Sequence, residues 1–260
     1  MIHFRYAAFL LSIILLPFVT FAMEKDSTKV KQPFNFGATV TVTTKGISTI
    51  PNLTLGKPAA IVYLSIGHAI KFEPEIRWGL DGKPWMFIFW FRHDLLSNDH
   101  FFIKLRVNPT VLFNTVTVTT NNETSNILKA SRTLTLDLAP NWLLTKKFSI
   151  GPYWMYSYGV EKDAIKNTNL LGLRANLANI KLSDQLAMRF SSMAYFLKMD
   201  ENHGYYFNAT MALAKKNCPF SASVLINKTI RTQVPVGENF LWNVSLIYTF
   251  NKLYRTIDGK

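Results

Sequence analysis

Residues 71–85 read KFEPEIRWGLDGKPW, and their charges sit at a spacing that could do chemistry. Glu73, Glu75 and Arg77 alternate with Phe72, Pro74, Ile76 and Trp78. A strand sends successive side chains to opposite faces, so one face here is apolar and the other carries three charges. A soluble sheet buries the apolar face in a core. A membrane barrel turns it to lipid and encloses the charges in a lumen, where they can select ions or solutes.

The same parity collects further charged side chains along the chain. The candidate lumen set contains Glu73, Glu75, Asp94 and Asp137 against Arg77, Arg92, Lys104, Arg106, Arg174 and Arg189. Cations outnumber acids, which predicts a mildly basic pore lining that favours anions. The same side chains could instead pair across the interior, plug it and fix register. If Leu80 lies opposite Trp85 across the DGKP turn, Glu73 faces Arg92 and Lys71 faces Asp94.

Catalytic and metal chemistry find little support. The histidines after residue 22 are His68, His93, His100 and His203, with no close pair at ligand spacing, so no metal or cofactor is expected. No serine and histidine share a persuasive face, and the chain is not expected to be an enzyme. A membrane-embedded hydrolase is the weakest of three readings. The second is a non-conducting barrel whose surface loops bind a partner.

The elements that must position these charges are strands. Segments of about ten residues alternate in polarity over 34–43, 59–68, 70–80, 85–95, 100–113, 129–142, 147–159, 169–181, 185–198, 204–215, 219–231 and 240–250. Polar loops at 44–58, 114–128, 160–168 and 232–239 all follow odd-numbered strands, and the remaining connections are short. Outer-membrane barrels sort their loops this way, with tight periplasmic turns and longer outer loops. In the last segment Phe240, Trp242, Val244, Leu246, Tyr248 and Phe250 share a side, aromatic at both ends and aliphatic between. Pro74, Pro109, Pro140 and Pro152 fall inside strands, where each deletes a ladder donor, so bulges or breaks must absorb them.

The longest apolar run after residue 22, WMFIFWF at 85–91, is far too short for a spanning helix. A strand-only membrane chain has to close on itself, because nothing in lipid can satisfy an open edge. The predicted fold class is therefore all-β: a closed antiparallel transmembrane barrel of about twelve strands in up-and-down order. Residues 1–22 read as a signal peptide, with Arg5 before an apolar stretch and Thr20 and Ala22 at a cleavage site. A flexible leader follows at 23–33, the barrel occupies 34–250, and 251–260 forms a periplasmic tail.

Cys218 is the only cysteine, so an exported chain of this kind has no intrachain disulfide. The formal charge is +13, but no basic run exceeds the pairs Lys146–Lys147 and Lys215–Lys216. Nucleic acid is not an expected partner. Lipid of the outer membrane, the barrel-assembly machinery and small anionic solutes are.

With the segment LWNVSLIYTF closing on Tyr248 and Phe250, the chain resembles bacterial outer-membrane β-barrel proteins over roughly residues 34–250. The stretches TKGISTIPNLTLGKPAA and NIKLSDQ are similar to uncharacterised barrels of the Bacteroidota. The resemblance implies location in the outer membrane and a barrel, and it supplies no catalytic residues. In that family the chain usually ends on the terminal Phe, whereas NKLYRTIDGK follows here.

Overall fold

A computed structural model describes residues 34–120 and 123–254. The signal peptide and leader assigned to 1–33 lie outside the described residues, as does the end of the tail.

Twelve strands form one closed antiparallel barrel in which each strand pairs with its sequence neighbours and the first pairs with the last. They are β1 (Phe34–Thr43), β2 (Ala59–Gly67), β3 (Ile70–Gly79), β4 (Pro84–Ser97), β5 (Phe101–Thr120) and β6 (Glu123–Leu143), then β7 (Phe148–Gly159), β8 (Asn167–Lys181), β9 (Leu186–Met199), β10 (Asn202–Lys215), β11 (Phe220–Thr232) and β12 (Phe240–Tyr254). Closure comes from β1 and β12, which pair from Phe34 opposite Tyr254 to Thr43 opposite Ser245. The last strand therefore runs past Phe250 and takes in the first residues expected in the tail. We call the end holding Phe34 and Tyr254 the lower end, and the other the upper end.

The faces follow the alternation. Leu246 is 56% exposed on the outside while Ser245 is 8% exposed. Leu134, Leu171, Trp154 and Trp242 also point outward, and Thr135, Asn227, Thr229 and Asn243 are buried inside. Aromatic pairs mark the lower end of the outer belt, with Phe101 against Trp142 at 5.1 Å and Phe220 against Tyr248 at 5.2 Å.

Three features depart from the sequence reading. Residues 114–128 are not a polar loop: β5 and β6 stay paired up to Thr120 opposite Glu123, so the hairpin rises well above its neighbours. The alternating threonines of TVTVTT favour strand over loop here.

The second departure concerns the β3–β4 register. Glu73 lies opposite Trp90 and Lys71 opposite Arg92, instead of Arg92 and Asp94. The turn closes on Gly79 and Lys83, joined at 2.9 Å. That displacement from a Leu80–Trp85 closure is odd, and alone it would put every β4 side chain on the wrong face. A bulge leaves Trp85 as an extra residue between the pairs Trp78–Pro84 and Arg77–Met86, and this restores the parity. Trp85 and Met86 consequently both point inward and are buried.

The third is the treatment of the prolines, which stay within strands while the ladders lapse around them. Pairing of β4 with β5 skips from Ile88–Thr110 to Phe91–Val107 at Pro109. Pairing of β6 with β7 skips from Leu138–Trp154 to Trp142–Ile150, where Pro140 and Pro152 face each other.

Arg at an outward mid-strand position is expected to cost roughly 2–4 kcal/mol in lipid, and much less inside. Leu246→Arg should thus impair assembly, whereas Ser245→Arg should still give a folded barrel. Heat-modifiable migration in detergent checks the pair, and the opposite pattern would invert the faces.

Candidate solute pathway

Among the described residues the interior has an upper and a lower chamber. The upper one has a volume of about 570 Å³ and is walled by Trp90, Asn108, Thr135, Met155 and Leu170. The lower one, about 330 Å³, is lined by Arg92, Lys104, Arg106 and Arg174 with Asn141 and Asn176. Arg106 and Arg174 line both, so the chambers meet at these two guanidinium groups.

A buried carboxylate organises that meeting point. Asp137 is 0% exposed and takes two bonds from Arg106, from Nε at 2.9 Å and from a terminal nitrogen at 2.8 Å. Tyr153 donates its hydroxyl to the same carboxylate at 3.1 Å. Alternation places the groups: Arg106 and Asp137 are direct partners across the β5–β6 ladder. Arg106 lies over the Trp90 ring at 4.4 Å, and Arg174 over the Tyr153 ring at 4.3 Å. Stacking on a ring holds a guanidinium flat while its edge still donates.

Nearby pairs repeat the scheme on β3 and β4. Glu73, 3% exposed, bonds Arg92 at 2.7 Å and accepts the Ser65 hydroxyl at 2.9 Å. The register shift therefore leaves this ion pair intact on the diagonal, where long side chains still reach. Glu75 pairs with Arg77 two residues on at 2.6 Å, and Arg77 covers the Trp85 ring at 4.9 Å.

Not every member of the candidate set joins this row. Lys104 has no carboxylate within ion-pair distance among the described residues, and it sits over the Phe102 ring at 5.0 Å. Its ladder partner Asp94 is exposed towards the lower mouth. Arg189 is exposed near the lower end of β9 and lines neither chamber. Arg174 has a ring beneath it and no carboxylate bonded to it among the described residues. Of the inward cations, Lys104 and Arg174 are thus the two that reach a chamber without an acid of their own.

The main feature the sequence reading missed is the connection from β1 to β2. Residues 44–58, expected as a polar outer loop, fold into the upper lumen and roof the upper chamber with Ser48, Ile50 and Leu53. A short 3-10 turn at Pro51–Leu53 reverses this strap. Trp85, inward because of the bulge, donates its indole N–H to the Leu53 carbonyl at 2.9 Å. From the opposite wall, Tyr195 donates to Thr49 O at 2.6 Å and Asn243 to Lys45 O at 2.7 Å. Leu53 and Leu55 pack on Trp85, Met86 and Ile88. Ile50 packs on an inward apolar group that includes Met193, Leu197 and Tyr206. The signal was present: Ile47, Ile50, Leu53 and Leu55 recur within a stretch otherwise read as polar. The inward apolar group departs from an alternation that sends apolar side chains to lipid, because the strap gives it an apolar partner inside the barrel.

Two ion pairs fasten the strap at its ends, Lys45 with Glu238 at 2.7 Å and Lys57 with Asp81 in the β3–β4 turn. The hydrogen bond from Lys57 holds the Asp81 carboxyl below the ordinary carboxylate range.

No protein-family model and no curated protein sequence matches the chain. Among solved structures, the KdgM porin superposes with a TM-score of 0.53 at 10% identity, covering 82% of this chain and 99% of the porin. The same porin in complex with disordered oligogalacturonate gives 0.51 at 10% identity, covering 83% and 99%. The NanC porin gives 0.48 at 10% identity, covering 84% and 100%. The chain folds as an outer-membrane β-barrel. At such identity the likeness is one of fold.

Asp137→Ala should leave Arg106 unpaired inside the barrel and destabilise it by roughly 3 kcal/mol. The double change Asp137→Leu with Arg106→Met should cost clearly less, because it removes both charges together. Urea unfolding in detergent separates the two.

A carboxylate whose pKa is depressed on folding stabilises above its unfolded pKa, and that contribution fades as pH falls through the folded value. The Lys57–Asp81 fastening should therefore hold unchanged from pH 8 to about 5 and weaken only below about 4. The Gly46 amide donates to the Lys57 carbonyl at 2.8 Å and the Leu55 amide to the Gly46 carbonyl at 2.9 Å, so hydrogen exchange of both, corrected for intrinsic rates, should show this acid step. Asp81→Asn should make both amides exchange faster at pH 7.

Proposed function

We propose that this barrel is a passive channel for small solutes in the outer membrane, with a mild preference for anions. One observation carries the reading: the lower chamber is lined by Arg92, Lys104, Arg106 and Arg174, with no carboxylate among its lining residues. Glu73 and Asp137 neutralise Arg92 and Arg106 from behind. Lys104 and Arg174 supply the remaining positive field, and a ring of fixed cations raises the local concentration of anions at a constriction. The proposed pore lining is the full candidate set, with Glu73, Glu75, Arg77 and Asp137 orienting the cations and Asp94 and Arg189 at the lower mouth. Small anionic solutes are the proposed cargo. The strand that ends the barrel carries the features expected for delivery by the barrel-assembly machinery.

A second reading draws on the strap. It crosses the upper lumen and bonds both walls, so a non-conducting barrel with partner-binding surface loops would be built similarly. Planar-bilayer recording distinguishes them.

Under a salt gradient the wild-type protein should conduct with a reversal potential on the anion side. Lys104→Gln with Arg174→Gln should move that potential towards zero without abolishing conductance. Absence of unitary conductance from folded barrels would favour the non-conducting reading. An unchanged reversal potential in the double variant would remove the role given to these two cations.

A further inference from the structure

The upper rim of the outer surface carries a cluster of cations that the channel reading does not use. Lys198 on β9, Lys228 and Arg231 on β11, and His203 on β10 are all exposed. Burial alternation puts them on the lipid side: Met199, Leu197, Asn227 and Thr229 next to them are buried inside the barrel. The registers make them neighbours. Lys198 lies opposite His203, and Phe196 below it lies opposite Tyr205. Tyr205 lies opposite Arg231, and Phe207 opposite Lys228. A bulge between Tyr205 and Tyr206 inserts Ile230 there, 66% exposed, which keeps Arg231 outward.

The cluster sits where apolar belt gives way to polar headgroups. Phe196 and Tyr205 pack at 5.3 Å one outward row below Lys198 and level with Arg231, and Lys228, one outward row lower again, pairs across the ladder with Phe240. Phe220 and Tyr248, the lower aromatic pair, lie eight residues away along β11 and β12 from Lys228 and Phe240. That length of strand is roughly 27 Å, or about 20 Å of height at a tilt near 40°, close to the apolar band of such barrels.

None of the ion pairs among the described residues uses Lys198, Lys228 or Arg231. Acids on the turns joining these strands are largely committed elsewhere. Asp200 accepts the Lys166 and Asn167 amides at 3.0 and 2.8 Å, and Glu238 binds Lys45. Glu201, exposed in the β9–β10 turn, is the remaining one. Three cations without an ion pair among the described residues, on the two strands that flank β10, surround the lipid-facing rings of Phe196 and Tyr205 and complement an anionic group anchored by acyl chains.

We propose that the outer face of β9–β11 binds the phosphate groups of a lipid in the surrounding leaflet, with Lys198, Lys228 and Arg231 as phosphate ligands and Phe196, Tyr205 and Ile230 against its acyl chains. The site rests on the membrane-barrel fold and is independent of conduction. A basic side chain near a charged membrane surface strengthens binding by about fivefold.

The test uses the full folded protein in neutral detergent, with lipid A carrying two phosphates as probe and its phosphate-free form as comparison, both measured by native mass spectrometry. The bisphosphorylated lipid should bind at least tenfold more tightly. Lys198→Gln, Lys228→Gln and Arg231→Gln should each weaken it about fivefold, and the three together about a hundredfold. Lys215→Gln with Lys216→Gln, at the lower end, should leave binding unchanged. Heat-modifiable migration confirms that each variant is folded, and the single changes carry the test if the triple one fails to assemble. Equal binding of the two lipids, or a folded triple variant binding as the wild type does, would overturn the proposal. So would competition by millimolar inorganic phosphate equal to that by the lipid, which would mark a free-anion site instead.

Discussion

Everything in this molecule depends on one constraint: a backbone crossing lipid must satisfy its own amides and carbonyls. Twelve strands meet it by closing on themselves through β1 and β12, leaving no open edge. Closure then makes two surfaces from one pattern, because residues one apart face lipid and lumen in turn. The sequence can therefore place charge inside only by keeping strict parity. Where the β3–β4 turn breaks parity, the bulge at Trp85 restores it, and the ion pair of Glu73 with Arg92 survives.

The second tier of organisation is the inward charge row. Buried ion pairs are poor stabilisers in themselves, since desolvation consumes much of the attraction. Their use here is geometric. Asp137 fixes Arg106 with two bonds and Tyr153 with a third, and Tyr153 in turn supports Arg174 through its ring. Rigid guanidinium groups at the junction of two chambers give a fixed field at a fixed place. The strap above them is held by carbonyls bonded to Trp85, Tyr195 and Asn243, by small apolar contacts on both walls and by an ion pair at each end.

Much of this was legible from residue order. The alternation in FLWNVSLIYTF fixed the sides of β12, and TLTLDL those of β6, because period-two patterning is read directly from side-chain type. Strand limits, apart from the β5–β6 hairpin and the end of β12, and the inward placement of Glu73, Arg106 and Asp137 followed from the same signal. What stayed hidden depended on contacts between distant segments. The strap's apolar residues find partners on β4, β9 and β10, which no local pattern announces. Register through a tight turn was equally out of reach, since a one-residue bulge leaves no compositional trace. Nor could the reading separate Lys104 and Arg174, which line a chamber, from Arg189, which shares their parity but lies exposed near the lower end of β9.

The central claim is that the inward row borders a water-filled path through the barrel. Modification of a single introduced thiol tests it most directly. With Cys218→Ser removing the exposed native cysteine, Lys104→Cys is placed in the lower chamber wall. Single channels are recorded while a negatively charged thiol reagent is added. The account predicts a stepwise, irreversible fall in unitary conductance together with reduced anion preference. A thiol that reacts while conductance and selectivity stay unchanged would contradict it.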